Sequence, residues 1–108
     1  MYPSARMHKQ YLLTIGPGAT YDTYLLDVGA DLAKRYASPD RRPATSGLIY
    51  FDRDVWFKLN WLDSDPIKLD NSLMGGRFEV AYGDTLIDRI YFGYTEGATV
   101  NVNVIVFG

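Results

Sequence analysis

A chain of 108 residues is long enough for one domain with a two-layer core, and too short for a cleft between two domains. It contains no cysteine, which excludes disulfides and thiolate metal sites, and its formal net charge of −2 argues against nucleic acid as the main partner. With 15% aromatic and only 22% charged residues, the composition is typical of proteins that contact other proteins. No apolar run approaches the roughly 20 residues of a membrane span. We find no apolar secretion signal either, so we expect folding in the cytoplasm and no membrane partner.

The N-terminal part of the chain predicts an arm, a strand and a helix. Residues 1–9 are polar and predict an arm, followed by a single domain over residues 10–108. Gln10–Ile15 predicts the first strand, because a Gly-Pro-Gly turn follows it. The chain then predicts a second strand that ends near Leu26 and a helix over Ala30–Ala37, which would cover an open end of the core.

Glycine and proline set the bounds of that helix. Gly29 separates it from the preceding strand, because glycine inside a helix costs up to about 1 kcal/mol relative to alanine. Ser38–Gly47 contains two prolines and small polar residues, and therefore predicts a loop, the longest surface without a predicted element.

The middle of the chain predicts a hairpin and two further strands. Leu48–Phe51 and Val55–Trp61 flank a short polar turn, and the second strand has a clear period of two. The residues on its predicted core face are Val55, Phe57, Leu59 and Trp61. The following elements are a strand over Ile67–Leu69, a loop over Asp70–Gly76 and a strand over Arg77–Ala81.

The last quarter of the chain, Leu86–Phe107, predicts a terminal hairpin. In its second strand the core face consists of Val100, Val102, Val104 and Val106. The opposite face begins polar and becomes apolar at Ile105 and Phe107, so we expect something to cover that end. The fold class predicted is all-β, an antiparallel, jelly-roll-like β-sandwich of about eight short strands with one short helix.

Groups that could do chemistry are few. The single histidine, His8, lies in the predicted arm, so a nucleophile would lack its general base. Most aspartates lie in predicted turns, where this residue usually bonds its own backbone. A Ca²⁺ site built from Asp63, Asp65 and Asp70 stays an alternative, but it lacks the spacing of an EF-hand loop. We predict no enzymatic activity, no catalytic residue, no cofactor and no metal.

Aromatic and apolar side chains outside the predicted core phase are the remaining candidates. A flat platform for stacking sugars could use Trp56, Trp61, Tyr91 and Tyr94. An interface is favoured instead, because apolar residues recur on the outward phase of three predicted neighbouring strands, and a contiguous apolar patch usually marks a binding surface. The predicted interface residues are Trp56, Ile87, Tyr91, Ile105 and Phe107.

The order of these segments resembles that of small β-sandwich virion proteins of tailed bacteriophages. In that family an Ile-x-Leu strand precedes a glycine turn, and a final Ile-Asp-x-Ile-x-Phe strand is followed by Gly-Ala and alternating valines. The matching residues are Gly47, Ile49, Asp52, Ile67, Leu69, Ile87, Asp88, Ile90, Phe92, Gly97 and Ala98, with the valines that follow. The likeness runs from Leu25 to the end, and the insertion over Asp31–Pro43 departs from it.

The resemblance implies a structural role in a virion that is assembled in the host cytoplasm. Proteins of this kind decorate or cement capsids, or serve as adaptors and base domains for head, neck or tail fibres. The partners it implies are other copies of the chain, with a trimer favoured, and other virion proteins such as capsid, tail or fibre subunits. It also implies that Ser38–Gly47 faces the capsid or tail. A monomeric carbohydrate-binding module that uses exposed aromatics is the alternative.

Overall fold

A computed structural model describes residues 8–108, in which eight strands form two four-stranded antiparallel sheets. The strands are β1 (His8–Ile15), β2 (Tyr24–Leu26), β3 (Ser46–Phe51), β4 (Val55–Leu59), β5 (Ile67–Leu69), β6 (Arg77–Val80), β7 (Ile90–Thr95) and β8 (Val100–Phe107). The helices are α1 (Val28–Arg35) and α2 (Asn71–Met74). The predicted arm lies outside the described residues up to residue 7, and its last two residues, His8 and Lys9, belong to β1.

The strand order is β1-β8-β3-β6 in the first sheet and β2-β7-β4-β5 in the second, which is the arrangement of a jelly roll. The predicted sandwich of about eight strands is therefore confirmed. Both predicted hairpins are wrong, because β3 and β4 lie in different sheets, as do β7 and β8. A turn sequence shows where the chain reverses, but not whether the next strand bonds to the previous one or crosses the core.

The core lies between the two sheets and is centred on β7 and β8, each of which is paired on both sides. The four valines predicted on the inner face of β8 are all buried, which confirms its alternation. Phe57 contacts Phe92 with ring centroids 5.7 Å apart, and Phe78 at 5.8 Å. Burying a phenylalanine contributes roughly 1.5 to 3 kcal/mol, so this cluster is a large part of the stability of a small domain.

Helix α1 closes one open end of the sandwich, as predicted, but it begins before Gly29 rather than after it. Asp27 caps its N-terminus and accepts a hydrogen bond from the Ala30 amide at 3.4 Å. Gly29 lies inside the helix because the carboxylate of Asp88 is directly against it: a Cβ there would lie 2.0 Å from Asp88 Oδ1. Gly29 therefore allows the Asp88 carboxylate to lie close to the helix backbone, and it does not end the helix.

The predicted loop over residues 38–47 is held against this end of the fold. The guanidinium of Arg41 donates to the carboxylates of Asp27 and Asp88, and Ala44 exchanges two backbone hydrogen bonds of 2.8 Å with Ile87. The hydrogen bond from Arg41 lowers the pKa of Asp27, more than burial of that carboxyl raises it. This part of the loop is therefore fixed to the domain at several points.

One helix was expected and residues 8–108 contain two, because α2 lies in the segment predicted as the loop Asp70–Gly76. Asp70 caps this single turn by accepting from the Leu73 amide at 3.1 Å, and Gly75 ends it in the left-handed conformation with φ +63°. Both capping residues can be read from the sequence, but a helix of four residues is too short to show a helical period of apolar residues.

Asn60 explains two further differences from the predicted strands. Its backbone is left-handed, with φ +68°, and its side-chain oxygen accepts from the amides of Asp88 at 2.7 Å and Arg89 at 3.2 Å. It ends β4 before Trp61, so this predicted core residue is 67% exposed. It also holds the segment before β7 in an irregular conformation, so Ile87, predicted to point outward, is buried and only 1% exposed.

Candidate functional site

The five predicted interface residues do not form one patch. Trp56 and Tyr91 lie on the outer side of the second sheet, and Ile105 and Phe107 lie on the outer side of the first. Ile87 is in the core. The single contiguous surface is therefore wrong, because the two C-terminal strands were taken as neighbours in one sheet. A role of Trp56, Tyr91, Ile105 and Phe107 in an interface stays a prediction.

We call the outward side chains of β1, β8 and β3 the first face. They are His8, Gln10, Leu12, Thr14, Ser46, Leu48, Tyr50, Asn101, Asn103, Ile105 and Phe107. None of them is aspartate, glutamate, lysine or arginine. Leu12 is 75% exposed and Tyr50 39%. Depletion of charge together with exposed leucine and tyrosine is the composition of an interface core.

The register places apolar residues of this face beside one another across the strands. Gln10 lies opposite Ile105, which in turn lies opposite Leu48. In the next row Leu12 lies opposite Asn103, and Asn103 opposite Tyr50. Ile105 and Leu48 are therefore direct apolar neighbours, and Leu12 and Tyr50 lie in the adjacent row on either side of Asn103. We call these four residues the apolar strip.

Polar side chains of the first face bond to one another. Gln10 donates from Nε2 to Asn103 Oδ1 at 3.0 Å, and Thr14 donates from Oγ1 to Asn101 Oδ1 at 3.2 Å. Because these donors already have acceptors within the chain, a partner that covered the face would not leave them unpaired. The cost of burying them is correspondingly lower.

Asp52 places a carboxylate at one end of the first face. It accepts hydrogen bonds from the backbone amide of Asn101 at 2.8 Å and from its side-chain amide at 2.9 Å. Burial alone would raise the pKa of Asp52, but these hydrogen bonds outweigh it and lower the pKa below its usual value. A groove of about 790 Å³ lies at this end, with Leu12 and Tyr50 among its lining residues.

We call the outward side chains of the second sheet, with Tyr21 from the preceding loop, the second face. Its residues are Tyr21, Leu25, Trp56, Lys58, Lys68, Tyr91 and Tyr94. The rings of Trp56 and Tyr94 meet edge to face with centroids 4.8 Å apart. Lys68 Nζ lies 4.9 Å from the Trp56 ring centroid, and Lys58 Nζ lies 4.5 Å from that of Tyr21. Aromatic rings on this face are therefore covered by lysines of the same chain.

Lys68 is also held by carboxylates. Its Nζ lies 3.6 Å from Asp54, 3.6 Å from Glu96 and 3.9 Å from Asp70. Burial works to lower the pKa of Lys68, but the nearby carboxylates outweigh it and raise the pKa above its usual value. The ammonium therefore remains charged over the indole at neutral pH.

The sugar-stacking alternative keeps three of its four aromatics together. Trp56, Tyr91 and Tyr94 share the second face, and Trp61 lies apart in the loop after β4. Lys68 lies over the Trp56 ring and Tyr94 lies against it, so this indole does not present a bare flat surface.

Within residues 8–108, no three histidine, aspartate or glutamate side chains come together as a set of metal ligands. The calcium alternative is therefore not supported: Asp70 caps α2 and is not grouped with Asp63 and Asp65. Neither described helix has the length and apolar run needed to cross a membrane.

Sequence reasoning missed Leu12, Leu48 and Tyr50 as parts of the first face. A signal for Leu12 was present, because it is an apolar residue in the same phase as Gln10 and Thr14. The other two were not assigned to a face, because β3 was paired with the wrong strand.

Comparison of the chain with protein-family models, with curated proteins and with solved structures finds no match.

Proposed function

We propose that this protein is a non-enzymatic structural protein of a bacteriophage virion that associates with its own copies. In that role it decorates or cements the capsid, or anchors a fibre at the head, neck or tail. Support for the virion comes from the resemblance of the strand and turn order over residues 25–108. Support for self-association comes from the uncharged first face, which is the observation that carries the proposal.

The first face suits a protein partner for energetic reasons. Its apolar strip is exposed to water, and burying apolar area contributes roughly 25 cal/mol per Å². Gln10 and Thr14 each donate to an asparagine of the same chain, which lowers the cost of desolvating those donors. Stable association typically buries about 1,200 to 2,000 Å² in total, and three strands of up to eight residues span only roughly 14 by 26 Å, so neighbouring loops must add to the contact. The resemblance favours a trimer as the closed form, with capsid, tail or fibre subunits as further partners.

A charge placed in the middle of the first face tests the proposal. Ile105→Asp would put a carboxylate between Gln10 and Leu48, at the centre of the three strands. We expect the wild type to be oligomeric by native mass measurement, and Ile105→Asp to form a smaller assembly with an unchanged circular dichroism spectrum. Leu25→Asp is the matched control on the second face, because Leu25 is 44% exposed on the edge strand β2, and it should keep the wild-type mass. A monomeric wild type, or an Ile105→Asp variant that keeps the full wild-type mass, would contradict self-association through this face.

The identity of the flanking genes tests the virion assignment separately. Genes for virion proteins lie in blocks, so we expect neighbours that encode capsid, neck or tail components. Neighbours that encode metabolic enzymes would contradict it, whatever the oligomeric state.

A second candidate, a monomeric carbohydrate-binding module, is favoured by the grouping of Trp56, Tyr91 and Tyr94 on one face. Retardation of a monomeric protein on a polysaccharide matrix, abolished by Tyr94→Ala, would support it. If the protein passes through the polysaccharide matrix without retardation, the carbohydrate-binding function is contradicted.

A further inference from the structure

The four edge strands of the two sheets are protected to different degrees. Three of them are short: β2 and β5 have three residues each, and β6 has four, including Arg77 and Glu79. The fourth, β1, has eight residues. Short and charged edges are the usual protection against pairing with another chain. The β1 edge has neither form of protection between Gln10 and Ile15.

The alternation of backbone hydrogen bonds in the first sheet shows which amide and carbonyl groups of β1 point away from β8, in the plane of the sheet. Asp52 N donates to Asn101 O at 3.3 Å, and Phe51 N donates to Gly76 O at 3.0 Å. Both bonds show that the odd-numbered residues of β8 form their backbone hydrogen bonds with β3. The even-numbered residues of β8 therefore form theirs with β1. The residues of β1 whose amide and carbonyl groups point away from β8 are His8, Gln10, Leu12 and Thr14.

The free side of β1 is open within the described residues. In residues 8–108 no strand pairs with it, and the side chains of Gln10, Leu12 and Thr14 are exposed. Its inner side is fixed, because Tyr11 donates a hydrogen bond of 2.5 Å from its hydroxyl to Asp31 of α1. Among residues 8–108, β1 is therefore a fixed edge strand whose outer amide and carbonyl groups have no strand partner.

We propose that the β1 edges of two copies pair antiparallel about a twofold axis at Leu12, which joins two first sheets into one eight-stranded sheet. The proposal rests on the self-association proposed above and names a contact distinct from the first face. In this register Leu12 lies opposite Leu12 of the partner subunit, and Gln10 lies opposite Thr14 of the partner subunit. Each pair exchanges both of its backbone hydrogen bonds.

The charges of the strand favour this occupant. The cationic residue Lys9 is near one end of β1 and lies opposite Ile15 of the partner subunit, so no like charges meet. The central stretch is uncharged on both sides of the axis. Pairing also places two first faces side by side, which makes one continuous apolar surface for the contact proposed above.

Cysteine crosslinking tests the register directly, because the chain contains no cysteine of its own. At the axis the two copies of residue 12 have Cα atoms about 5.5 Å apart, within the range of a disulfide. The two copies of residue 14 are separated by ~13 Å, which a disulfide cannot span. We expect Leu12→Cys to form a covalent dimer under mild oxidation at least about tenfold faster than the matched control Thr14→Cys.

The outcomes separate this proposal from the one it rests on. If the wild type is oligomeric but Leu12→Cys crosslinks no faster than Thr14→Cys, the edge contact is wrong and the face contact stands. If Leu12→Cys crosslinks rapidly in an Ile105→Asp background, the edge contact is supported without the face contact. A monomeric wild type with no crosslinking in either variant would overturn both.

Discussion

On the first face, three neighbouring strands expose leucine and tyrosine without a charged side chain among their outward residues, whereas on the second face lysines lie over aromatic rings. The first face covers three strands of its sheet, and the fourth strand, β6, places Glu79 and Arg77 opposite Leu48 and Tyr50. The second face covers all four strands of the other sheet. The two faces differ in what covers their apolar groups. On the second face the cover belongs to the same chain, and for the first face we propose that a partner supplies it.

The contrast shows that the number of aromatic residues does not identify a binding surface. The second face carries more aromatic area, yet Trp56 is packed between Tyr94 and Lys68. On the first face Gln10 and Thr14 donate to asparagines of the same chain, and Leu12 is 75% exposed in the part of the chain that the structure describes. An apolar side chain without a neighbour is the better indicator of association.

The largest effect is expected from Gly93→Ala, which would disrupt the second face alone. A Cβ at Gly93 would lie 2.3 Å from the Tyr21 amide nitrogen and 2.4 Å from its Cα. Because these are backbone atoms, the loop must move and Tyr21 must leave Lys58. We expect a loss of about 1 to 3 kcal/mol in the free energy of unfolding, measured by urea denaturation.

The control for that variant is Gly16→Ala, because nothing lies within 4 Å of a Cβ at Gly16. Its stability should change by less than about 0.5 kcal/mol. Both variants should keep the wild-type oligomeric mass, since neither touches the first face. Equal stability of the two variants would contradict the close approach, and dissociation of Gly93→Ala would contradict the independence of the two faces.

Trp56→Ala is expected to have a smaller effect, and it sharpens the difference in how the two faces are covered. It removes the edge-to-face contact with Tyr94 and the ring beneath Lys68, so we expect a loss of about 1 to 2 kcal/mol with no change in mass. Leu12→Ala, from the first face, should cost less than about 0.5 kcal/mol in dilute monomer, because Leu12 is 75% exposed. A larger loss of unfolding free energy for Leu12→Ala than for Trp56→Ala would contradict this difference in contacts between the two side chains.

Local alternation was sufficient to predict which side chains of β8 lie in the core, because the buried face of a strand is fixed by its own period of two. The partner strands were not predictable in the same way. The turn between Phe51 and Val55 looks the same whether the chain returns to its sheet or crosses to the other. This ambiguity merged residues of two faces into one patch.

Single residues that interrupt the period caused the other errors. Asn60 adopts a left-handed conformation and bonds the backbone at Asp88 and Arg89, which shifts the phase of the segment before β7. Ile87 was placed outward because the alternation of β7 was extended back through this segment. Trp61 was placed in the core for the same reason on β4. Such a contact joins residues far apart in sequence, so no local pattern reveals it.

The smallest expected effect concerns pH at the end of the first face. The hydrogen bonds from Asn101 hold the pKa of Asp52 below its usual value against the opposing effect of burial. A carboxyl whose pKa is lower in the folded state stabilises the fold above its ordinary pKa of about 4 and loses that contribution as the pH falls through the folded value. Because Asp52 is exposed, we expect the contribution to be only a few tenths of a kcal/mol after solvent screening.

Urea denaturation at neutral pH and near pH 3 tests this contribution. Between the two pH values the free energy of unfolding should fall slightly more for the wild type than for Asp52→Asn. The other depressed carboxyls, such as Asp27, contribute equally to both proteins and cancel in the difference. An equal decrease in the free energy of unfolding of the two proteins would show that the hydrogen bonds from Asn101 do not stabilise the ionised carboxyl of Asp52.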